Sequence, residues 1–288
     1  MLDRLLRAAY RRLEPDARNT LRTWLVLEER DHMPEPITTF DEARVLILAP
    51  HSDDEVIGCG GITARHVRAG ADVHVAIMTD GRWGDGDLFA PSMTAQERVR
   101  RQTALIALRK LEAQSAAALL GTRHLRFLEL PDGDLKVNKA AVDLLADLLA
   151  TIKPQLVYLP FVYDLHKDHW QTNCIFAAAA ANLDKSAAKA MVVRGYEVWS
   201  PLLANRVVDI SDVMQLKLAA LSQFKSQLRD QDYTRIVEGL NTYRSNGVFG
   251  GRGHAEAFHE APLTAYLRLV RAAQLQHSPV PTGAGVGP

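Results

Sequence analysis

Short apolar runs rich in β-branched residues alternate along this chain with longer stretches in which apolar side chains recur every three or four positions. The runs occupy residues 44–49 (RVLILA), 73–78 (VHVAIM), 125–130 (LRFLEL), 156–160 (LVYLP), 191–199 (MVVRGYEVW) and 206–210 (RVVDI). Their length and composition predict strands. Helical periodicity covers 62–69, 94–120, 139–152, 172–183 and 212–226, several of these opened by Thr, Asn or Asp caps. Such alternation predicts an α/β fold, a Rossmann-like doubly wound sheet, mostly parallel, with helices on both faces. Ahead of it, Leu2, Leu5, Leu6, Ala9 and Leu13, then Leu21, Trp24, Leu25 and Val26 after Pro15-Asp16, read as two short amphipathic helices expected to pack on the main domain. Pro34 and Pro36 mark a linker, so the expected organisation is an extension over 1–40, a main domain over 41–276 and a Pro/Gly-rich, disordered tail over 277–288. A last helix over 261–275 is expected on the sheet. Loops at 229–232 and 246–254 are expected to cover a cleft, bringing His254 or Glu256 towards it.

Charge narrows the function. The 34 Lys and Arg residues balance 34 Asp and Glu residues over 288 positions, which removes any global electrostatic reason to bind nucleic acid or anionic membrane. No apolar run is long enough to span a bilayer, and charges interrupt every apolar stretch near the amino terminus, so no secretory signal can be drawn. With only two cysteines, Cys59 and Cys174, a disulfide framework is excluded and a cytoplasmic location is expected. Cys59, within Gly58-Cys59-Gly60-Gly61, reads as a small buried thiol rather than a nucleophile. Oligomeric state is left open, self-association included.

Ligands of an open α/β sheet bind beyond the carboxyl ends of its strands, and that is where the polar residues crowd. His51-Ser52-Asp53-Asp54-Glu55 follows the first strand, Thr79-Asp80-Gly81 the second, Pro131-Asp132-Gly133-Asp134 the third, and Asp164-Leu165-His166-Lys167-Asp168-His169 the fourth. His51 and Asp54 are three apart at a strand-to-helix junction, which puts both on one side of a first helical turn, and His166 and His169 repeat the spacing. Two imidazoles and one carboxylate, His51, Asp54 and His169, would hold a divalent cation with an open position, as catalytic zinc sites do. Zn²⁺ is the expected ion, with Fe²⁺ another divalent choice. Asp53 would then be the general base, while His166 would stabilise an oxyanion or protonate a leaving amine. Either Asp164 or Asp168 would orient an imidazole through its second nitrogen.

These residues resemble the PIG-L (LmbE-like) zinc deacetylases, which remove acetyl groups from N-acetylglucosamine units. The family's Ala-His-Pro-Asp-Asp-Glu signature appears as Pro50-His51-Ser52-Asp53-Asp54-Glu55, and its His-x-Asp-His signature as His166-Lys167-Asp168-His169. Weaker matches are Thr79-Asp80-Gly81, Arg109-x-x-Glu112, Leu130-Pro131-Asp132-Gly133 and Tyr196-Glu197-Val198-Trp199, so the resemblance runs from about 44 to 226. It implies His51, Asp54 and His169 as zinc ligands, Asp53 as base and His166 as the oxyanion-stabilising acid. It also nominates Arg109 and Asp132 as substrate contacts. Ser52 stands where the family has proline, and Arg82-Trp83-Gly84 where many members have Gly-Glu-x-Gly, so the sugar pocket is expected to differ. Trp83 and Trp170 lie beside the proposed site in sequence and could stack on a sugar ring.

Three rivals are weighed against this. A dinucleotide site needs glycines at the first strand-to-helix turn, but Asp53, Asp54 and Glu55 fill that turn with negative charge. A non-haem iron(II) oxygenase would use His51-x-Asp53 with His169, but it leaves Asp54 idle and suits a different fold. A catalytically silent binding module would tolerate loss of Asp53. The expected function is therefore a metal-dependent amidohydrolase, a zinc-dependent N-deacetylase acting on an N-acetylglucosamine-type sugar within a glycoside, glycolipid or natural-product intermediate, its partner being that small-molecule or glycolipid substrate.

Overall fold

The computed structural model describes residues 33–277, with 12–14 and 16–17 besides. Apart from those five residues, the amino-terminal helices and the tail expected from the sequence lie outside the described residues. One eight-stranded sheet organises the chain: β1 (Glu35–Pro36), β2 (Arg44–Ala49), β3 (Asp72–Thr79), β4 (His124–Leu130), β5 (Leu156–Pro160), β6 (Val192–Tyr196), β7 (Arg206–Asp209) and β8 (Ala255–Pro262). Across the sheet the order is β1-β7-β8-β6-β5-β2-β3-β4. Only β8 runs antiparallel, against β6 and β7, so the sheet is mixed but mostly parallel.

Helices cover both faces. The principal ones are α1 (Asp54–Arg68), α2 (Ala95–Leu120), α3 (Lys139–Ile152), α4 (Lys167–Ala180), α5 (Lys185–Ala190), α6 (Met214–Leu221), α7 (Lys225–Leu228), α8 (Tyr233–Arg244) and α9 (Leu263–His277). The unbroken apolar run of β2 is explained by burial on both sides. Val45 and Ile47 pack with α1, α2 and α6, whereas Leu46 and Leu48 pack with α3, α4 and α9. No helix among the described residues is long and apolar enough to cross a membrane.

Several boundaries differ from the sequence expectation, each for a local reason. Helix α1 begins at Asp54, before the periodic stretch at 62–69, because its first half is glycine-rich for packing rather than for turning. A Cβ at Gly58 would stand 2.2 Å from Tyr196 Cδ2, and one at Gly61 2.5 Å from Ile210 Cγ2. The periodic stretch 212–226 is two helices, α6 and α7, parted at Ser222-Gln223-Phe224, where buried Phe224 turns into the core. Strand β6 ends at Tyr196 instead of 199. The supposed linker contains β1, which pairs with β7. Strand β8 was invisible because its sequence, AEAFHEAP, carries no β-branched residue; it takes up the first two residues of the helix expected over 261–275, which starts instead at Leu263.

Candidate metal centre and active-site cleft

The exits of β2, β3, β4, β5 and β6 converge on one cleft at the carboxyl edge of the sheet. Beyond β2, the backbone enters α1 through Asp53 at φ 132°, ψ −33°, a region that side-chain-bearing residues rarely occupy. The Glu55 carboxylate accepts the Asp53 amide at 3.0 Å, and the Asp53 carbonyl accepts the amides of Val56 and Ile57 at 2.9 Å each, so the strained residue is pinned from both sides.

Asp54 Oδ2 lies between two imidazoles, 3.2 Å from His51 Nδ1 and 3.1 Å from His169 Nε2, and it accepts the His51 amide at 2.9 Å. A tetrahedral cation with bonds of about 2.0–2.1 Å sets donor-to-donor edges of roughly 3.3–3.4 Å. The observed separations approach those edges. Neither ring nitrogen of His169 makes a hydrogen bond of acceptable angle, although each lies close to a carboxylate. Donor atoms of His51, His166 and His169 come within 4.8 Å of one another as well. Donor atoms of His51, Asp132 and Asp168 also come within that distance, so this end of the cleft offers a donor set that suits a divalent ion, with His51 common to each grouping and Asp54 between His51 and His169.

Carboxylates steer the rings. Asp164 Oδ1 stands 3.0 Å from His169 Nδ1, while Asp164 Oδ2 accepts the Trp199 amide at 2.9 Å, tying the exits of β5 and β6 together. Asp168 Oδ2 stands 3.2 Å from His51 Nε2 and accepts the Gly133 amide at 2.7 Å. Both aspartates named from sequence thus meet an imidazole, each a different one. Asp132 also reaches His51 Nε2, at 3.3 Å, and accepts the Trp83 amide at 2.8 Å. His166 caps α4: its Nδ1 accepts the Asp168 amide at 3.1 Å. An accepting Nδ1 leaves the ring proton of neutral His166 on Nε2, the tautomer able to donate to an oxygen in the cleft.

Burial and charge separate the two adjacent aspartates. Burial would raise Asp54, but His169 and His51 outweigh it and hold the carboxyl well below its ordinary range. Asp53 is pushed up to about 7, chiefly by burial, with the Arg109 guanidinium working against that rise. Burial alone would lower His51, yet its contacts with Asp132, Asp168 and Asp54 raise it; burial and the neighbouring histidines lower His166. Adjacent carboxyl groups pulled in opposite directions are a recurring sign of divided chemical labour.

The cleft encloses about 460 Å³ and is lined by His51, Asp53, Asp54, Arg109, Asp132 and His166 among others. Arg109, buried in α2, donates to the Ser52 carbonyl at 2.7 Å and stands 3.5 Å from Asp53 Oδ1. Its neighbour in the Arg-x-x-Glu element, Glu112, instead accepts the Ser226 amide and hydroxyl, which anchors α7 to α2. His254 and Glu256 do not line the cleft: Glu256 is buried against Lys217 Nζ at 2.7 Å and accepts the amides of Gly61 and Ile62. Trp83 lines the cleft, but Trp170, half-buried on α4, packs against the apolar cluster shared with α3 and α9. The sequence reading missed Phe89, Trp199, Gln227 and Tyr233 as cleft residues. Trp199 was within reach of the strand-exit rule, since it follows β6; Gln227 and Tyr233 follow no strand and carried no signal.

Comparison with known proteins agrees with this geometry. The sequence profile of the PIG-L family, GlcNAc-PI de-N-acetylase, matches residues 46–180. A diacetylchitobiose deacetylase of Thermococcus kodakarensis is 27% identical over 243 residues, covering 77% of this chain and 84% of that protein. A 4-oxalmesaconate hydratase of Pseudomonas putida is 25% identical over 227 residues, covering 72% of this chain and 84% of that protein. Among solved structures, the N,N'-diacetylchitobiose deacetylase of Pyrococcus horikoshii superposes with a TM-score of 0.65 at 26% identity, covering 78% of this chain and 86% of that one. Residues 46–180, which build the exits of β2 to β5 with their histidines and aspartates, are thus the part of this chain that matches the PIG-L (LmbE-like) family.

Proposed function

We propose that the protein is a zinc-dependent N-deacetylase that removes the acetyl group from an N-acetylglucosamine-type sugar in a glycoside, glycolipid or natural-product intermediate. The supporting observation is the placement of one ionised carboxylate, Asp54, between His51 and His169, with a second carboxylate of raised pKa, Asp53, beside it in the same cleft. His51, Asp54 and His169 are assigned as the ligands. His166 is left off because its Nδ1 is engaged and its Nε2 is the donor the reaction needs. A divalent ion held there would supply Lewis acidity and acidify water.

This chain's residues account for the proton movements. Asp53 takes a proton from the water that attacks the acetamide carbon, and Arg109 beside it keeps part of that site's carboxylate character. The His166 Nε2 proton meets the carbonyl oxygen as it turns anionic. As the C–N bond breaks, the proton held by Asp53 passes to the nitrogen, and acetate and a free amine leave. A cavity of about 460 Å³ walled by Trp83, Trp199 and Tyr233 suits one or two sugar rings, whose apolar faces stack on aromatic side chains. A cytoplasmic setting goes with this reading, as does the unpaired state of the two buried cysteines.

The test is acetate release from a panel of N-acetylglucosamine conjugates by Zn²⁺-loaded protein. Asp53→Asn should lower kcat by about 10²- to 10⁴-fold with bound zinc unchanged, whereas His169→Ala should lose zinc and activity together. Near-normal acetate release by Asp53→Asn would overturn the assigned roles. Absence of acetate from the whole panel, alongside water addition to an unsaturated acid, would place the chain with its hydratase relative instead.

A further inference from the structure

We propose a second divalent-metal site, formed by Asp72, His74 and His124 at the amino edge of the sheet, opposite the cleft and independent of the function proposed for it. Strand register builds it. His74 of β3 pairs with His124 of β4 in a parallel ladder, so both side chains leave the same face, and Asp72, two residues before His74, shares that face. The rings stack with centroids 4.4 Å apart and planes 13° from parallel. The Asp72 carboxylate spans them, Oδ2 at 2.9 Å from His74 Nε2 and Oδ1 at 3.2 Å from His124 Nε2. One donor atom from each residue lies within 4.8 Å of the other two.

The 3.2 Å spacing to His124 is close to the roughly 3.3–3.4 Å edge of a four-coordinate ion, whereas the 2.9 Å spacing to His74 is that of a hydrogen bond, which an ion would replace with a slight widening. His74 is only 8% exposed and fixed on β3 between β2 and β4, and its Nδ1 has no hydrogen-bond partner. The side chains of His124 and Asp72 are 46% and 49% exposed, which gives an ion a path in and water access to its remaining positions. Arg44, in register with Asp72 on β2, is the adjacent cation; its Nε donates to the Lys153 carbonyl rather than to Asp72. Two imidazoles and one carboxylate favour Zn²⁺, Co²⁺, Ni²⁺ or Cu²⁺ over Mg²⁺ and Ca²⁺. The length of β3 puts the site roughly 20 Å from the cleft at 3.3 Å per residue, so the ion takes no part in the reaction. It staples β4, an edge strand with one neighbour, to β3 at the point where both begin.

Equilibrium dialysis of metal-stripped protein against Zn²⁺, with bound metal counted by elemental analysis, tests this. His124→Ala, at an exposed position, should bind one equivalent fewer than the native protein, and Asp72→Asn should show the same loss. In the His169→Ala background, Zn²⁺ should still raise the thermal midpoint, and adding His124→Ala should abolish that rise. Unchanged stoichiometry in both His124→Ala and Asp72→Asn would overturn the site and leave a plain His-Asp-His hydrogen-bonded cluster. A failure of the cleft site would appear differently, as His169→Ala binding as much zinc as the native protein.

Discussion

At φ 132° Asp53 occupies backbone space that glycine fills at little cost, and it buries a carboxyl group whose pKa is pushed up to about 7. Strain of this kind costs on the order of 1–3 kcal/mol. Asp53→Gly is therefore expected to raise the thermal midpoint while abolishing acetate release, a pairing that differential scanning calorimetry and an activity assay check together. His66 gives a second residue-scale expectation. It is fully buried beneath Phe40, its Nε2 3.0 Å from the Tyr158 hydroxyl. That hydroxyl accepts from Arg194, so its own hydrogen goes to His66, which must stay neutral. Burial first and the Arg194 charge second push His66 down to about 3. Between the unfolded value near 6.5 and this folded value, the unfolded chain binds the extra proton, so stability falls as pH falls, by about 1.4 kcal/mol per pH unit. Asp53, raised to about 7, and Glu55, raised to about 8, contribute the opposite slope over much of this range, so the effect of His66 is read by difference: the stability of the native protein relative to His66→Phe, from urea denaturation, should fall by about 1.4 kcal/mol per pH unit between pH 6 and 4. The side chains of the candidate site were legible because their types and spacing are demanded by metal chemistry. Nothing comparable marks His66, whose neutrality depends on Arg194 from a strand more than a hundred residues away.

The helix α1 shows how one element serves both core and site. Gly58, Gly60 and Gly61 let Tyr196, Lys217 and Ile210 approach its backbone. Lys217 then reaches the Ile57 carbonyl at 2.8 Å, Asn241 at 2.9 Å and Glu256 at 2.7 Å, all without solvent exposure. Breaking such a pair strands a buried charge, so Lys217→Met should destabilise the fold by about 3–5 kcal/mol. Adding Glu256→Gln should recover part of the loss, as measured by urea denaturation. The sequence announced α1 only from residue 62, where ordinary apolar periodicity resumes, since close packing against glycine erases the pattern on which periodicity depends. The extents of β2, β5 and α3 were read correctly because burial there follows side-chain hydrophobicity alone. Strand β8 was missed for the opposite reason: its partners are chosen by Glu256 and by backbone pairing with β6 and β7, neither of which has a local signature.

For the molecule as a whole, balanced charge and a cleft holding both acids and bases argue for substrates drawn in without long-range steering. With a neutral amino-sugar conjugate, kcat/KM should change by less than about twofold between low and high salt, because screening acts on steering between net charges; a steep fall would point to an anionic substrate. The doubly wound layout was legible from the alternation of short and long apolar segments, but the order of strands was not, since the return of the chain to insert β8 between β6 and β7 depends on edges that exist only after the rest has folded. That insertion has a consequence for a polypeptide made from its amino end. Until residue 262 has left the ribosome, β6 presents an open flank and β7, with β1 beside it, has nothing to dock against. From the emergence of β6 until β8 follows, the nascent protein thus carries a sticky, half-finished sheet, with the histidines and aspartates of the cleft already translated. Final closure is a late event, and chaperone demand should peak just before the last helix emerges.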